Sequence, residues 1–341
     1  MKRRHIYSWM FMAALLVFLA CSDDDTTEAD GIHKGTPIVF STVKVEKDGN
    51  RTRTMAADAH ETGLPQNSLI DVFIYDKTGT AVLSDADVTP QPRVTLPLVY
   101  ITTDDSNPET CQSDLRIKDG TLSPPLYPSS DDKSAYIFAF YPAGSSNDVS
   151  YNFSVSTDQT MEANIIGSDL LATEQIIQPE SSGKGVDLPM THRMAKVIVK
   201  FNPTGSLTDA NMPTNFDVCN VKKTVTIEPK KGATDATSNG TKCISTTGSA
   251  TTIAACTSQA FLIPPQTISQ GTIFLSFSIN GTAADNFNSI TGVTFKPVND
   301  IEFLANTVYE ITVNVNVNYI TATATITPWN NETMTFDKYI L

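Results

Sequence analysis

The chain has 341 residues, 40% of them hydrophobic, with 37 acidic side chains against 24 basic and a formal charge of −13. That length and apolar content suit two domains of ordinary size with real cores and exclude a disordered chain. The acidity argues against nucleic acid and anionic membrane surfaces as partners, because both repel a negative protein.

Lys2, Arg3 and Arg4 precede an apolar run from Met10 to Ala20, and Cys21 follows. A positive start, a short apolar core and a small residue at the cut make residues 1–20 a signal peptide, too short to span a bilayer. Phe18-Leu19-Ala20-Cys21 resembles a lipobox, with Phe18 where Leu is usual. In a lipobox the thiol takes a diacylglycerol and becomes the new N-terminus. The acidic Ser22-Asp23-Asp24-Asp25 resembles the surface-export tag of Bacteroidetes lipoproteins. Cys21 is therefore the expected lipidation site, and the mature chain is expected on the surface of the outer membrane. Losing three basic residues and no acidic one leaves 21 against 37, a formal charge of −16. Residues 21–36 are polar and aperiodic and read as a flexible tether.

Strand signals dominate from there on: short apolar and β-branched runs separated by Gly, Pro, Asn and Asp. The clearest cover 37–45, 69–75, 135–141, 196–201 and 272–279. In the last, Ile273, Leu275, Phe277 and Ile279 are expected on one face, with Ser276 and Ser278 on the other. Long helical periodicity is absent, and a short helix is expected around 168–172. Many short strands joined by turns predict an all-β protein of sandwich type. The stretch 178–184, with Pro179, Ser181, Ser182 and Gly183, is the expected domain boundary.

The sharpest pattern lies near the C-terminus. Tyr309, Ile311, Val313, Val315, Val317 and Tyr319 alternate with polar residues, and then the phase slips, so that Ile320, Ala322, Ala324 and Ile326 become the apolar positions. A one-residue slip moves every side chain to the opposite face. A bulge at Tyr319-Ile320, or a crossing between two strands or two sheets, is expected.

Chemistry-bearing constellations are missing. The sequence holds no GxSxG elbow, no HExxH and no phosphate-cradling glycine loop. His5, His33, His60 and His192 are scattered, and a lone His192 before a strand reads as structural. The acidic loops 104–107 and 129–133 read as solvated turns, since their spacing matches no calcium loop. The residues give no reason to expect an enzyme, a metal or a cofactor beyond the lipid on Cys21. Cys111, Cys219, Cys243 and Cys256 have no CxxC spacing; they allow three pairings if all pair, and buried free thiols fit equally well. Export permits a bridge within the set Cys219, Cys243 and Cys256.

Several fragments then fall in a familiar order. They are Pro37-Ile38-Val39-Phe40 and Asn50-Arg51-Thr52-Arg53-Thr54, then Asp71-Val72-Phe73-Ile74-Tyr75, Tyr136-Ile137-Phe138-Ala139-Phe140-Tyr141-Pro142 and Asp169-Leu170-Leu171. In the second half come Met190-Thr191-His192-Arg193-Met194-Ala195-Lys196-Val197, Phe261-Leu262-Ile263-Pro264-Pro265-Gln266 and Ile326-Thr327-Pro328-Trp329. In this order the chain resembles the fimbrillin family of Bacteroidetes, the subunits of lipoprotein-derived surface pili. The resemblance implies two β-sandwich domains of transthyretin-like topology, an N-terminal one over 37–185 and a C-terminal one over 186–341. It further implies that a trypsin-like or Arg-specific protease cuts after the first strand, removing lipid and strand together. A strand from a neighbouring subunit then fills the groove, and a fimbria grows by strand exchange.

The residues suit that scheme. Arg51 and Arg53 lie in a polar stretch rich in turn formers, and Arg53 is the preferred cleavage site with Arg51 second. Ile38, Phe40, Val43 and Val45 are the expected apolar contributors of the removable first strand, worth roughly 6–12 kcal/mol if all are fully buried. The segment 308–327, carrying Tyr309, Ile311, Val313, Val315, Val317, Ile320 and Ile326, is the expected donor by strand addition. The implied partners are other fimbrial subunits, the maturation protease and, before cleavage, the outer membrane. A stalk subunit supporting adhesion is favoured over a tip or anchor subunit. A monomeric surface lipoprotein that binds glycans is the alternative from another class; it would have to use Tyr100, Tyr127 or Tyr151 as a platform, because Trp9 lies in the signal and Trp329 in the terminal motif. A secreted hydrolase has only scattered carboxylates in its favour.

Overall fold

The computed structural model describes residues 38–45, 64, 68–76, 79, 83–84, 93–100, 115–117, 126–127, 135–144, 150–173, 176–178, 185–234, 243–257, 260–281, 288–316, 319–328 and 339–340. The signal peptide, the tether and residues 179–184 lie outside the described residues.

Strands follow the apolar and β-branched runs. The first half gives β1 (Phe40–Val45), β2 (Leu69–Tyr75), β3 (Leu83–Ser84), β4 (Arg93–Tyr100), β5 (Leu115–Ile117), β6 (Leu126–Tyr127) and β7 (Ala135–Tyr141). It continues with β8 (Tyr151–Ser154), β9 (Asp158–Gln159), helix α1 (Glu162–Ile166), β10 (Leu171–Thr173), β11 (Ile176–Gln178) and β12 (Val186–His192). Eight of these make one sheet in the order β10-β12-β1-β5-β4-β2-β7-β11, and β10 also pairs with β7. That extra pairing brings the two arms of the sheet together, folding it over a core of Ile38, Phe40, Ile70, Val72, Ile137 and Leu188.

The second half gives β13 (Ala195–Pro203), β14 (Asn215–Ile227), helix α2 (Pro229–Thr234), β15 (Ile244–Cys256), β16 (Phe261–Ile263), β17 (Gln266–Ile268) and β18 (Leu275–Ile279). It ends with β19 (Ile290–Phe295), β20 (Ile301–Phe303), β21 (Thr307–Val315), β22 (Tyr319–Pro328) and β23 (Tyr339–Ile340). One sheet runs β16-β13-β21-β22-β23, and another runs β19-β18-β14-β15-β9 with β8 also pairing β14. Val197, Val199, Ile311 and Val313 from the first of these share a core with Phe216, Val218, Ile253 and Phe277 from the second. The protein is an all-β sandwich, as the strand pattern predicts.

Strand β7 is a continuous apolar run, and β2 is one but for Asp71, because both their faces are buried. Ile70, Val72 and Ile74 point into the smaller core, while Phe73 and Tyr75 join the larger one. Phe73 meets Phe140 edge to face at 5.8 Å, an arrangement favoured by the ring quadrupoles. The larger core thus takes side chains from both halves of the chain.

Three local expectations shift. The helix lies earlier than 168–172, at α1, because the Ser168 hydroxyl donates to Asn164 O at 2.6 Å and ends the turn; Leu171 and Ala172 go into a strand instead. The strand expected over 272–279 begins at Leu275, after a turn in which Gly271 has φ +75°. Leu275, Phe277 and Ile279 do share the buried face, but Phe274 is also fully buried and Ile273 stands before the strand. Sheet membership also crosses the division expected at 185/186: β12 completes the eight-stranded sheet, while β8 and β9 belong with β14 and β15.

Candidate functional site

The first strand sits in the middle of the eight-stranded sheet. β1 runs parallel to β12, with Phe40 opposite Val186 and Val45 opposite Met190, and antiparallel to β5, with Val43 opposite Leu115. The register shifts between Phe40 and Val43, and that irregularity is how both are buried despite an odd spacing. Ile38 is 1%, Phe40 1% and Val43 2% exposed, against Leu64, Val72 and Leu188. Three fully buried side chains of this kind are worth roughly 5–9 kcal/mol as an upper range. The side chain of Val45 lies outside the described residues, as do Cys21, Arg51 and Arg53 entirely.

The C-terminal pattern resolves into a hairpin. β21 pairs in parallel with β13 from Thr307 opposite Ala195 to Val315 opposite Pro203. On its other side it pairs antiparallel with β22, from Thr307 opposite Pro328 to Val315 opposite Ile320. Every odd-numbered residue of β21 faces an even-numbered residue of β22, which accounts for the slip of phase; the expected crossing is one between two strands. Tyr309, Ile311, Val313, Val315 and Ile320 are buried. The Tyr309 hydroxyl donates to Glu302 O at 3.0 Å and accepts from Leu304 N at 2.7 Å, and burial pushes its pKa up. Among the described residues, β22 is paired on its outer side only at Tyr319 and Ile320, by β23. Val317 and the side chain of Ile326 lie outside the described residues.

Two of the sequence fragments meet beside β12. His192 Nδ1 lies 3.0 Å from both carboxylate oxygens of Asp169, and both residues are buried. Arg193 donates from its backbone to Leu170 O at 2.8 Å and from Nη2 to Ala172 O at 3.1 Å. The pair ties β12 to β10, the structural role read for His192 in the sequence. No group of three or more metal-ligating side chains occurs among the described residues, and none of the described helices is long and apolar enough to cross a membrane.

Gln159 and Gln266 carry a role the sequence reading missed. The Gln266 amide accepts from Lys222 N at 2.8 Å and donates to Lys222 O at 2.9 Å, so a side chain replaces a strand between β8 and β18 along β14. Its position after Pro264-Pro265 was the available signal, since prolines cannot donate to a ladder. Cys219, Cys243 and Cys256 are not joined to one another by a disulfide. Cys256 stands in register with Asn215, four residues from Cys219, a distance of about 13 Å at the usual strand rise. Cys243 accepts from Glu228 N, farther still along β14, whereas a disulfide needs Cα atoms within about 7 Å. Cys111 lies outside the described residues.

The fold is an all-β sandwich with its first strand seated between β12 and β5. A family profile described as fimbrillin-like matches residues 52–329. The chain belongs to the fimbrillin-like family. No curated protein matches it. Among solved structures it is similar to a protein of proposed cell adhesion function from Bacteroides uniformis, with TM-score 0.53, 13% identity and coverage of 86% of this chain and 98% of that one. A second such protein, from Bacteroides ovatus, gives 0.52, 16%, 88% and 100%. A fimbrial assembly protein from Parabacteroides distasonis gives 0.46, 11%, 89% and 100%. At these identities the likeness is one of fold.

Proposed function

We propose that the chain is a structural subunit of a surface fimbria, exported as a lipoprotein through Cys21, matured by cleavage after Arg53 or Arg51, and polymerised by strand exchange. The observation that carries this reading is the seat of β1, held between two strands with Ile38, Phe40 and Val43 buried. Its loss would remove about 5–9 kcal/mol of burial, comparable with the whole stability of a domain, ~5–15 kcal/mol. It would also leave β12 and β5 with unpaired backbone groups facing one gap. Family membership and the cell-adhesion names of the similar folds support the fimbrial role.

A replacing strand must run parallel to β12 and antiparallel to β5. The donor segment 308–327 divides unequally for this purpose. β21 is clamped on both sides, whereas β22 is held along one edge and over two residues of the other. In this reading β22 is the part that leaves and Tyr309, Ile311, Val313 and Val315 remain as its base.

Intact mass and N-terminal sequencing of protein sheared from the cell surface test the proposal. A non-lipidated chain beginning at Thr54 in SDS-resistant ladders is expected. A monomeric chain still beginning at acylated Cys21 would overturn polymerisation and leave an anchor or a free surface lipoprotein. A chain ending at Asn318 is expected to be exported and to form no ladder; ladders from it would exclude β22 as donor.

A further inference from the structure

We propose that the outer face of the β19-β18-β14-β15 sheet carries a binding site for a neutral saccharide. A trough of about 370 Å³ crosses this face, with Asn215, Asp217, Ser276, Ser278 and Asn280 among its lining residues. That volume lies within the ~300–1,000 Å³ of small-molecule sites. The register builds it: Thr294, Ser276, Asp217, Ala254 and Asp158 stand in one row across β19, β18, β14, β15 and β9. All five are at least partly accessible, and the small Ala254 and Ser276 keep the row low on either side of Asp217.

At one edge of this trough the Thr160 hydroxyl donates to Asp158 Oδ1 at 2.6 Å, but five of its polar side chains are unspent. Among the described residues, the side chains of Asn215, Asp217, Ser276, Ser278 and Asn280 make no hydrogen bond or ion pair with one another or with the rest of the protein. The other end of the same face behaves differently. There Ser154 and Thr224 pair at 2.8 Å, Thr226 donates to Asn152 Oδ1 at 2.8 Å, and Thr226 meets Thr247 at 3.1 Å. Hydroxyls satisfy each other laterally at one end, whereas those of Ser276 and Ser278 are left facing a concavity at the other.

The frame under these groups is fixed. Phe216 and Phe277, 3% and 4% exposed, form the floor and pack against Phe201 at 5.9 and 4.7 Å. The backbone of Asn280 is held from both sides by the fully buried Asn211, whose Nδ2 donates to Asn280 O at 2.8 Å and whose carbonyl accepts from Asn280 N at 2.9 Å. A site held by buried residues of this kind is pre-organised.

The chemistry selects the ligand. A sugar ring presents adjacent hydroxyls, each both donor and acceptor. One carboxylate, two amides and two serine hydroxyls supply matched acceptors and donors. No basic side chain lines the trough, and Asp217 sets a negative charge in its wall, so uronic and sialic acids are repelled. No aromatic ring is exposed there for stacking, which confines the affinity to the millimolar range. The inference does not depend on polymerisation, and it holds equally for a stalk, tip or anchor subunit.

Saturation-transfer difference NMR on the chain purified from the cell surface tests it, with lactose, maltose, methyl mannoside and sialyllactose as probes. Transfer is expected to at least one neutral sugar and to be much weaker for sialyllactose. Asp217→Asn and Asn215→Ala are expected to weaken binding about tenfold or more, the factor for losing one charge-assisted or shared hydrogen bond. Both positions are exposed, so unfolding midpoints should stay unchanged, and Thr226→Ala should leave binding intact. The proposal is overturned if no neutral sugar receives transfer, if both trough variants bind as tightly as the parent, or if sialyllactose binds as well as lactose.

Discussion

The side chain of Gln159 forms a two-way hydrogen-bonded pair with the backbone of Leu262: Nε2 donates to Leu262 O at 2.9 Å, and Oε1 accepts from Leu262 N at 2.8 Å. Gln159 is fully buried in β9, on the six-stranded sheet, whereas Leu262 belongs to β16 at the edge of the five-stranded one. One amide therefore closes an edge that would otherwise present unpaired groups in the interior, and it fastens the five- and six-stranded sheets together.

Replacing Gln159 by Met keeps the volume and strips both partners from Leu262. Each buried group left unpaired costs about 1–3 kcal/mol, so the total loss should be about 2–6 kcal/mol. Urea unfolding followed by tryptophan and tyrosine fluorescence checks this, and an unchanged midpoint would show that Leu262 finds other partners.

Tyr75 offers the opposite case. It is 1% exposed, and among the described residues its hydroxyl has no hydrogen-bond partner. Burial pushes its pKa up to about 12 from 10.0. The folded state thus holds the phenol proton more tightly than the unfolded chain does. The resulting stability is complete below pH 10 and disappears as pH rises through about 12, a loss of about 2–3 kcal/mol. Tyr75→Phe should gain about 1 kcal/mol or more at neutral pH by removing the unpaired hydroxyl, and should flatten the alkaline decline. Thermal melts from pH 8 to about 12 decide it; a variant that declines as steeply as the parent would place the alkaline sensitivity elsewhere, for instance at Tyr309.

How legible this architecture was depended on whether the signal was local. Alternation in β18 and in β21 told which side chains turn inward, because period and register are written in neighbouring residues. The pairing of β1 with β12 joins residues some 146 positions apart in sequence, from Phe40 to Val186, and nothing near either strand announces the other. For the same reason the sequence did not show that β12 pairs with β1. Gln159 looked like one polar residue among many, since only a distant backbone gives its amide a use. Cys21, Arg51 and Arg53, by contrast, were found by motif and exposure, and those three remain readings of sequence.

Phe40 separates the role of β1 in the uncut chain from any role in an assembly. Phe40→Ala should cost the uncut chain about 3–5 kcal/mol, as truncation of a fully buried aromatic does. Under the proposed maturation residue 40 leaves with the first strand, so fibres grown from the variant should melt like those of the parent. Calorimetry on the two forms distinguishes these outcomes. A fibre weakened as much as the precursor would mean that β1 stays in place after assembly, which contradicts replacement of that strand.

The shared core makes a prediction about separating the halves. A chain ending at residue 185 loses β12, which flanks both β1 and β10 in the eight-stranded sheet. A chain beginning at residue 186 lacks β8, β9 and α1, and with them the Gln159 amide and the Ile165 side chain of the larger core. It also uncovers the side chains that pack on Phe73, Phe138 and Phe140. A division of sheet membership has therefore to follow the strands and not the linker. Neither fragment should unfold cooperatively when expressed alone, whereas the two expressed together should associate, because the missing ladders are complementary. Urea unfolding of each fragment and of the mixture checks this; two fragments that each melt cooperatively would show 185/186 to be a boundary between independent domains.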